Sequence, residues 1–155
     1  MTSSRLLPLF VLVASIGALG IALVAQYGFG LKPCELCLIQ RVPFAIAGLL
    51  ALVALLRPPD RQRLTMTLAG LAFLVNSAIA FYHVGVEQKW WVSACAGSGG
   101  QNVSVADLAS LMQKPAEGRC DEPAWEWHGI TMAAMNIVFS GGLALVVLAA
   151  SRRRI

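Results

Sequence analysis

The chain has 155 residues, of which 57% are hydrophobic and 13% charged, and its formal net charge is +4. An ordinary soluble domain carries about 25% charged residues, so this chain lacks the polar surface to cover itself in water. Its basic residues are scattered among separate sites without interleaved aromatics, which argues against a nucleic-acid partner.

Arg5 precedes an apolar run over residues 6–25. A helix needs about 20 residues to cross the hydrocarbon of a bilayer, so this run predicts a first spanning helix over about 6–26. The alternative is a signal peptide cleaved after Leu23-Val24-Ala25; the length of the run and the three spans behind it favour a retained helix. A short loop, about 27–33, leads into Pro33, the pair Cys34-Glu-Leu-Cys37 and Arg41. The hydrocarbon stretch over 42–56 is too short to span alone, so the second helix is expected to begin at the cysteines and run over about 34–56. Pro43 falls inside it, where a proline costs about 3 kcal/mol or forces a kink.

The third helix is predicted over about 64–83 and ends in Tyr82 and His83. A long second loop, about 84–127, carries Trp90, Trp91, Cys95 and a glycine-rich stretch. Ser104-Val-Ala-Asp107 then has the form of a capping box, and Val105, Leu108, Leu111 and Met112 share one face of a short amphipathic helix before Pro115. Such a helix suits the plane of a membrane surface. Trp125, Trp127 and His128 lead into the fourth helix, about 128–150. The expected fold is an all-α membrane protein: one domain, a four-transmembrane-helix bundle with a short amphipathic helix in the second external loop. Asn76 and Asn136 are read as helix–helix hydrogen bonds, and Gly17, Gly20 and Gly141–Gly142 as close-packing positions.

Charge orients the bundle. The N-terminus, the loop between helices two and three, and the C-terminus hold seven arginines against Asp60 alone, a net +6. The other side holds five basic residues against seven acids, a net −2. The positive-inside rule then places both termini in the cytoplasm and all four cysteines outside, where disulfides persist.

The first cysteine pair has the marks of a reactive one. Pro33 suits the opening of a helix, and the dipole and free N–H groups there favour a thiolate. Arg41, four residues after Cys37, would lie on the same face, one turn deeper. Half a zinc site is the competing reading, but Cys95 and Cys120, 25 residues apart, form no second knuckle. Haem attachment would need a histidine where Leu38 stands, and a thioredoxin motif would need a βαβ setting. The competing reading of Arg41 is simple snorkelling to the interface. The tryptophans and His128 read as an interfacial aromatic belt, whereas His83, at a helix end beside the thiols, is a candidate ligand or proton donor.

With Leu-Lys-Pro-Cys-x-x-Cys and its following arginine, Cys95, and the Cys120-Asp-x-x-x-Trp125 stretch, the chain resembles the DsbB family of bacterial inner-membrane thiol oxidases. The resemblance extends over nearly the whole chain. It implies that Cys95 and Cys120 form the disulfide that accepts electrons from a DsbA-like thioredoxin-fold oxidase, with Cys95 carrying the mixed disulfide. Cys34 would exchange with Cys120, and Cys37 would face a membrane quinone, ubiquinone or menaquinone. Arg41, His83 and Met132 would line the quinone site. The resemblance also implies a place in the bacterial inner membrane, with the cysteine loops in the periplasm. An electron sink is energetically required: DsbA lies near −120 mV and ordinary structural disulfides below about −300 mV, a gap of about 8 kcal/mol. Two alternatives stand beside this reading, a vitamin-K-epoxide-reductase-like enzyme and a non-enzymatic assembly protein with stabilising disulfides.

The charge asymmetry makes a direct prediction. Reporter fusions after Pro59 and at the C-terminus should report a cytoplasmic location, and fusions near Gly99 an external one. An external residue 59 would put the cysteines in a reducing compartment and end the redox reading.

Overall fold

A computed structural model of the chain describes residues 3–58, 61–91 and 118–152. In chain order the elements are α1 (Ser3–Leu23), a π-helical turn (Val24–Gly28), α2 (Glu35–Ile39), α3 (Arg41–Leu56), α4 (Gln62–Glu87), β1 (Glu126–Trp127), β2 (Ile130–Thr131) and α5 (Met132–Arg152). Among the described residues, four segments are long and apolar enough to cross a membrane: Arg5–Gly28, Glu35–Leu56, Gln62–Glu87 and Met132–Arg152. The architecture is therefore the expected all-α four-span bundle. Cys95 and the amphipathic helix expected over 104–114 lie outside the described residues.

Side-chain pairs show that neighbouring spans run antiparallel. Gln26 meets Arg41 and Ser15 lies against Gly48 between α1 and α3. Gln40 meets His83 at one end of the α3–α4 pair, and Phe44 packs edge-on against Phe73 with centroids 5.6 Å apart. Thr131 meets Glu87, and Leu148 lies against Gly70, between α4 and α5. The core is built from small residues, Ala47, Ala51, Ala54 and Ala69, around Phe44, Phe73 and Val147. Small side chains let helices approach closely where lipid, being as apolar as leucine, gives no hydrophobic drive to associate. Outward faces carry Phe10, Ile21, Leu49, Val138 and Leu145, all exposed; on this bundle they are the lipid-facing surface.

The third span runs over Gln62–Glu87, a turn past its expected end at His83, and three further boundaries depart from the sequence expectation for local reasons. The second span is broken at Gln40 into α2 and α3. Pro43 has no N–H to bond the carbonyl of Ile39, and its ring crowds that carbonyl, so the helix is interrupted a turn upstream. Pro33 precedes the cap instead of opening the helix: Cys34 is the N-cap, and its sulfur accepts the backbone N–H of Cys37 at 3.3 Å. The last helix starts at Met132, not at 128, because Glu126–Trp127 and Ile130–Thr131 pair as a small antiparallel hairpin. His128 and Gly129 form its two-residue turn with φ of 50° and 80°, the left-handed geometry such turns require. Thr131 then caps α5 by accepting the N–H of Ala134 at 3.2 Å. His128 thus serves the turn, stacked edge-on with Trp127.

The glycines also redistribute. Nothing lies within 4 Å of a Cβ built on Gly17, Gly20 or Gly142, so these are not close-packing positions; Gly141, against Ser77, is one. Gly70 is another, since a Cβ there would come within 2.8 Å of Leu148. Gly70→Ala should lower stability by about 1–3 kcal/mol through overpacking. Gly20→Ala should leave it unchanged or raise it by up to about 1 kcal/mol through helix propensity. Thermal unfolding of the two variants in detergent checks the contrast.

Candidate functional site

The cysteine end of the bundle gathers the C-terminal ends of α1 and α4, all of α2, and the N-terminal end of α5. Cys34 and Cys37 are free thiols with their sulfurs 2.7 Å apart. The i, i+3 spacing over the first turn of α2 puts both on one face, near enough to close a disulfide with little movement. Cys34 is 3% exposed and Cys37 is half-buried. His83, from the last turns of α4, points Nε2 at the Cys34 sulfur from 3.5 Å. The donor atoms of Cys34, Cys37 and His83 all lie within 4.8 Å of one another. That compact set of two sulfurs and an imidazole joins residues 49 positions apart, which cysteine spacing alone does not reveal.

His83 is buried and has polar neighbours on both ring nitrogens. Its Nδ1 meets the side-chain amide of Gln40 at 2.8 Å, and its Nε2 lies 3.7 Å from Glu87. Glu87 accepts the hydroxyl of Thr131 at 2.6 Å. Gln40 in turn accepts from Asn136 at 2.6 Å, and Asn136 accepts from Asn76 at 3.3 Å. The expected pairing of Asn76 with Asn136 is therefore present, and it extends to the thiols. Arg41 donates to Gln26 Oε1 at 2.7 Å. Gln26 sits in the π turn that ends the first span, and such widened turns recur where a helix must present a functional side chain.

A cavity of about 610 Å³ opens beside these groups, well inside the range of small-molecule sites. One part is lined by Cys34, Cys37, Gln40, Arg41, His83 and Asn136, and the rest largely by apolar residues such as Ala18, Leu19, Phe44 and Phe139. It lies between α1 and α5, which barely touch each other. Met132 borders it as well. Cys37, Arg41, His83 and Met132 thus face one chamber.

Cys120 packs close to the same thiols. It is disulfide-bonded, 1% exposed, and shares a buried cluster with Cys34, Leu36 and Val86. The segment carrying it is held by the Gly118 N–H, which donates to the Pro33 carbonyl at 3.2 Å. Arg119 hydrogen-bonds Asp121, which holds that carboxyl below its usual range, and also pairs with Glu122. Trp90, Trp91, Trp125 and Trp127 are exposed around this end, as an aromatic belt requires. Trp91 additionally donates to the Tyr82 carbonyl and stacks on its ring.

Comparison with known proteins agrees with the geometry. The family model for disulfide bond formation protein DsbB matches residues 4–150. The chain belongs to the DsbB family. It is similar to a disulfide bond formation protein B of Methylobacillus flagellatus, with 30% identity over 86% of this chain and 84% of that protein. A second such protein, from Herminiimonas arsenicoxydans, is 28% identical over 99% of both chains. A third, from Xanthomonas campestris, is 32% identical over 88% of this chain and 83% of the other. No solved structure matches significantly. Membership makes the chain a disulfide-bond-forming, multi-pass membrane oxidoreductase, and sets aside both alternatives weighed from the sequence.

Sequence reading missed Gln26, Gln40, Glu87 and Thr131 as members of this end of the molecule. A polar residue inside a spanning segment is itself a signal, and Gln26 and Gln40 carried it unread.

Gly118 provides a test of the docked segment. A Cβ there would lie 2.3 Å from the Lys32 carbonyl oxygen, a backbone atom that cannot swing aside. Gly118→Ala should lift the segment off the first loop and speed alkylation of Cys34 several-fold, with the helical content unchanged. Mass spectrometry of timed alkylation reads this residue by residue.

Proposed function

We propose that this chain reoxidises a DsbA-like periplasmic thioredoxin-fold oxidase and delivers the electrons to a membrane quinone, ubiquinone or menaquinone. The observation that carries the proposal is the dithiol Cys34–Cys37 at the edge of a mostly apolar cavity, with the Cys120 segment packed against Cys34 and bordering the same cavity. A thiolate of the partner attacks Cys95, forming a mixed disulfide and releasing Cys120. The Cys120 thiolate attacks Cys34 in the Cys34–Cys37 disulfide, and Cys37 leaves as the thiolate. The partner's second thiolate resolves its adduct and leaves oxidised, freeing the Cys95 thiolate. Cys95 attacks Cys120 in the Cys34–Cys120 disulfide and releases Cys34, so the first pair then holds the two electrons as a dithiol. The positive-inside rule supports a periplasmic location for this chemistry, in the inner membrane with both termini cytoplasmic.

The residues present fit a quinone. A ring with polar carbonyls and an apolar tail matches a chamber whose polar groups gather around the thiols and whose remaining wall is mostly hydrocarbon. When bound, a quinone supplies a two-electron oxidant that takes up two protons. Arg41, held by Gln26, is suited to hydrogen-bond a carbonyl oxygen, and its fixed charge favours a Cys37 thiolate. The aromatic rings of Phe44 and Phe139, 6.1 Å apart, help close the chamber to water. Met132 supplies a flexible thioether at its border.

Two measurements test this. Purified protein should oxidise a reduced DsbA-like oxidase only when quinone is supplied, and Cys120→Ser should trap an adduct with that oxidase through Cys95. An adduct through Cys37 and none through Cys95 would reverse the electron order. Arg41→Met should fold normally yet raise the quinone KM by roughly 10- to 100-fold, as losing a charge-assisted hydrogen bond of about 1.5–3 kcal/mol implies. Arg41→Lys should recover only part, since an ammonium lacks the planar fork. Unchanged quinone dependence in Arg41→Met would leave the arginine without a part in the site.

A further inference from the structure

Asn76, Asn136, Gln40 and His83 come from three different spans, yet their side chains form one continuous string of hydrogen bonds ending at a cysteine. Asn76 Nδ2 donates to Asn136 Oδ1 at 3.3 Å, and Asn136 Nδ2 donates to Gln40 Oε1 at 2.6 Å. Gln40 Nε2 then meets His83 Nδ1 at 2.8 Å, and His83 Nε2 faces Cys34 Sγ at 3.5 Å. We propose that this string positions His83 as the Nε2–H tautomer with that proton aimed at the Cys34 sulfur. Gln40 and Asn136 are then positioning residues for the dithiol.

The Gln40 face of the imidazole sets the tautomer. Gln40 gives its carbonyl to Asn136 and has its NH₂ left for His83, so Nδ1 accepts and Nε2 carries the hydrogen. The other face suits this: the neighbours of Nε2 are the Cys34 sulfur and, at 3.7 Å, a Glu87 oxygen, both able to accept. The second Glu87 oxygen is taken up by the Thr131 hydroxyl at 2.6 Å.

The consequence falls on Cys34. Its sulfur receives the backbone N–H of Cys37 at 3.3 Å and faces the Nε2–H of His83. Two N–H donors converge on this sulfur, whose other close neighbour is the Cys37 sulfur at 2.7 Å. His83 in this tautomer is a hydrogen-bond donor toward Cys34 Sγ and has no lone pair on Nε2 with which to take a proton from it. Burial preserves the arrangement: Asn76 is fully buried, and Gln40 and His83 are nearly so. Turning the ring or one amide would leave polar groups unpaired where water cannot replace the partner.

The proposal rests on reading Cys34–Cys37 as a redox dithiol, but the tautomer is measured without turnover, so the two readings fail separately. The chain has two histidines, and ¹⁵N-histidine NMR of the detergent-solubilised protein, with His128→Ala for assignment, reports each ring nitrogen. The wild type should show His83 protonated on Nε2 and bare on Nδ1. Gln40→Glu keeps the side-chain size but accepts from the ring, so the proton should move to Nδ1. Asn136→Leu frees the Gln40 carbonyl and should give a mixture of tautomers. In both variants, exchange of Cys34 with a small disulfide should slow roughly tenfold, as losing one hydrogen bond to the charge that develops on the reacting sulfur implies. A wild-type proton on Nδ1, or a Gln40→Glu spectrum identical to wild type, would overturn the proposal.

Discussion

Polar side chains inside a span must find partners within the protein, because hydrocarbon offers none. That constraint organises this molecule. Asn76, Asn136, Gln40 and His83 hydrogen-bond in series across α4, α5 and the α2–α3 junction. A single string therefore fixes the relative height and rotation of three spans. Small core residues allow the close approach, but they specify little about register. Register is set by which amide must meet which, and the string delivers the imidazole to the thiols as part of the same arrangement.

Two irregularities in the spans make room for the chemistry. The break at Gln40, enforced by Pro43, turns that side chain inward to His83, while Arg41 begins the next helix and reaches Gln26. The π turn at the end of the first span supplies Gln26. In a regular helix the first pair, Gln40 and Arg41 would follow one another at steady 100° steps. The break lets the two polar residues serve different neighbours while both still line the cavity. The dithiol thus lies between an amide-held imidazole and a cation held by another amide.

Reactivity at Cys34 and Cys37 is then separated by environment. Cys34 is enclosed by Leu36, Val86 and Cys120 and receives two donors. Cys37 is half-buried and borders the chamber. Both thiols border the chamber where a lipid-soluble acceptor fits, but Cys34 is the more enclosed and the one packed beside Cys120, a division suited to passing electrons in one direction. Gly118 completes it by letting the Cys120 segment lie against the Lys32 carbonyl, an approach no side chain would permit.

Much of this was legible in the chain itself. Spanning segments follow from the length of apolar runs, and the cysteine pair at a helix opening follows from local spacing, both one-dimensional properties. Arg41 and His83 were candidates from their positions beside the thiols, Met132 came from resemblance alone, and all three border the cavity. Local geometry was less accessible: the interruption sits a turn before the proline that causes it, and the His128–Gly129 turn was concealed inside an aromatic belt. What only the tertiary structure decided is the company each polar residue keeps. Gln40, Asn76 and Asn136 are separately unremarkable amides, and only the folded bundle brings residues up to 96 positions apart into hydrogen-bond distance. A sequence records that a polar group is inside the membrane; which partner satisfies it depends on helix rotation and depth, which arise when the spans pack.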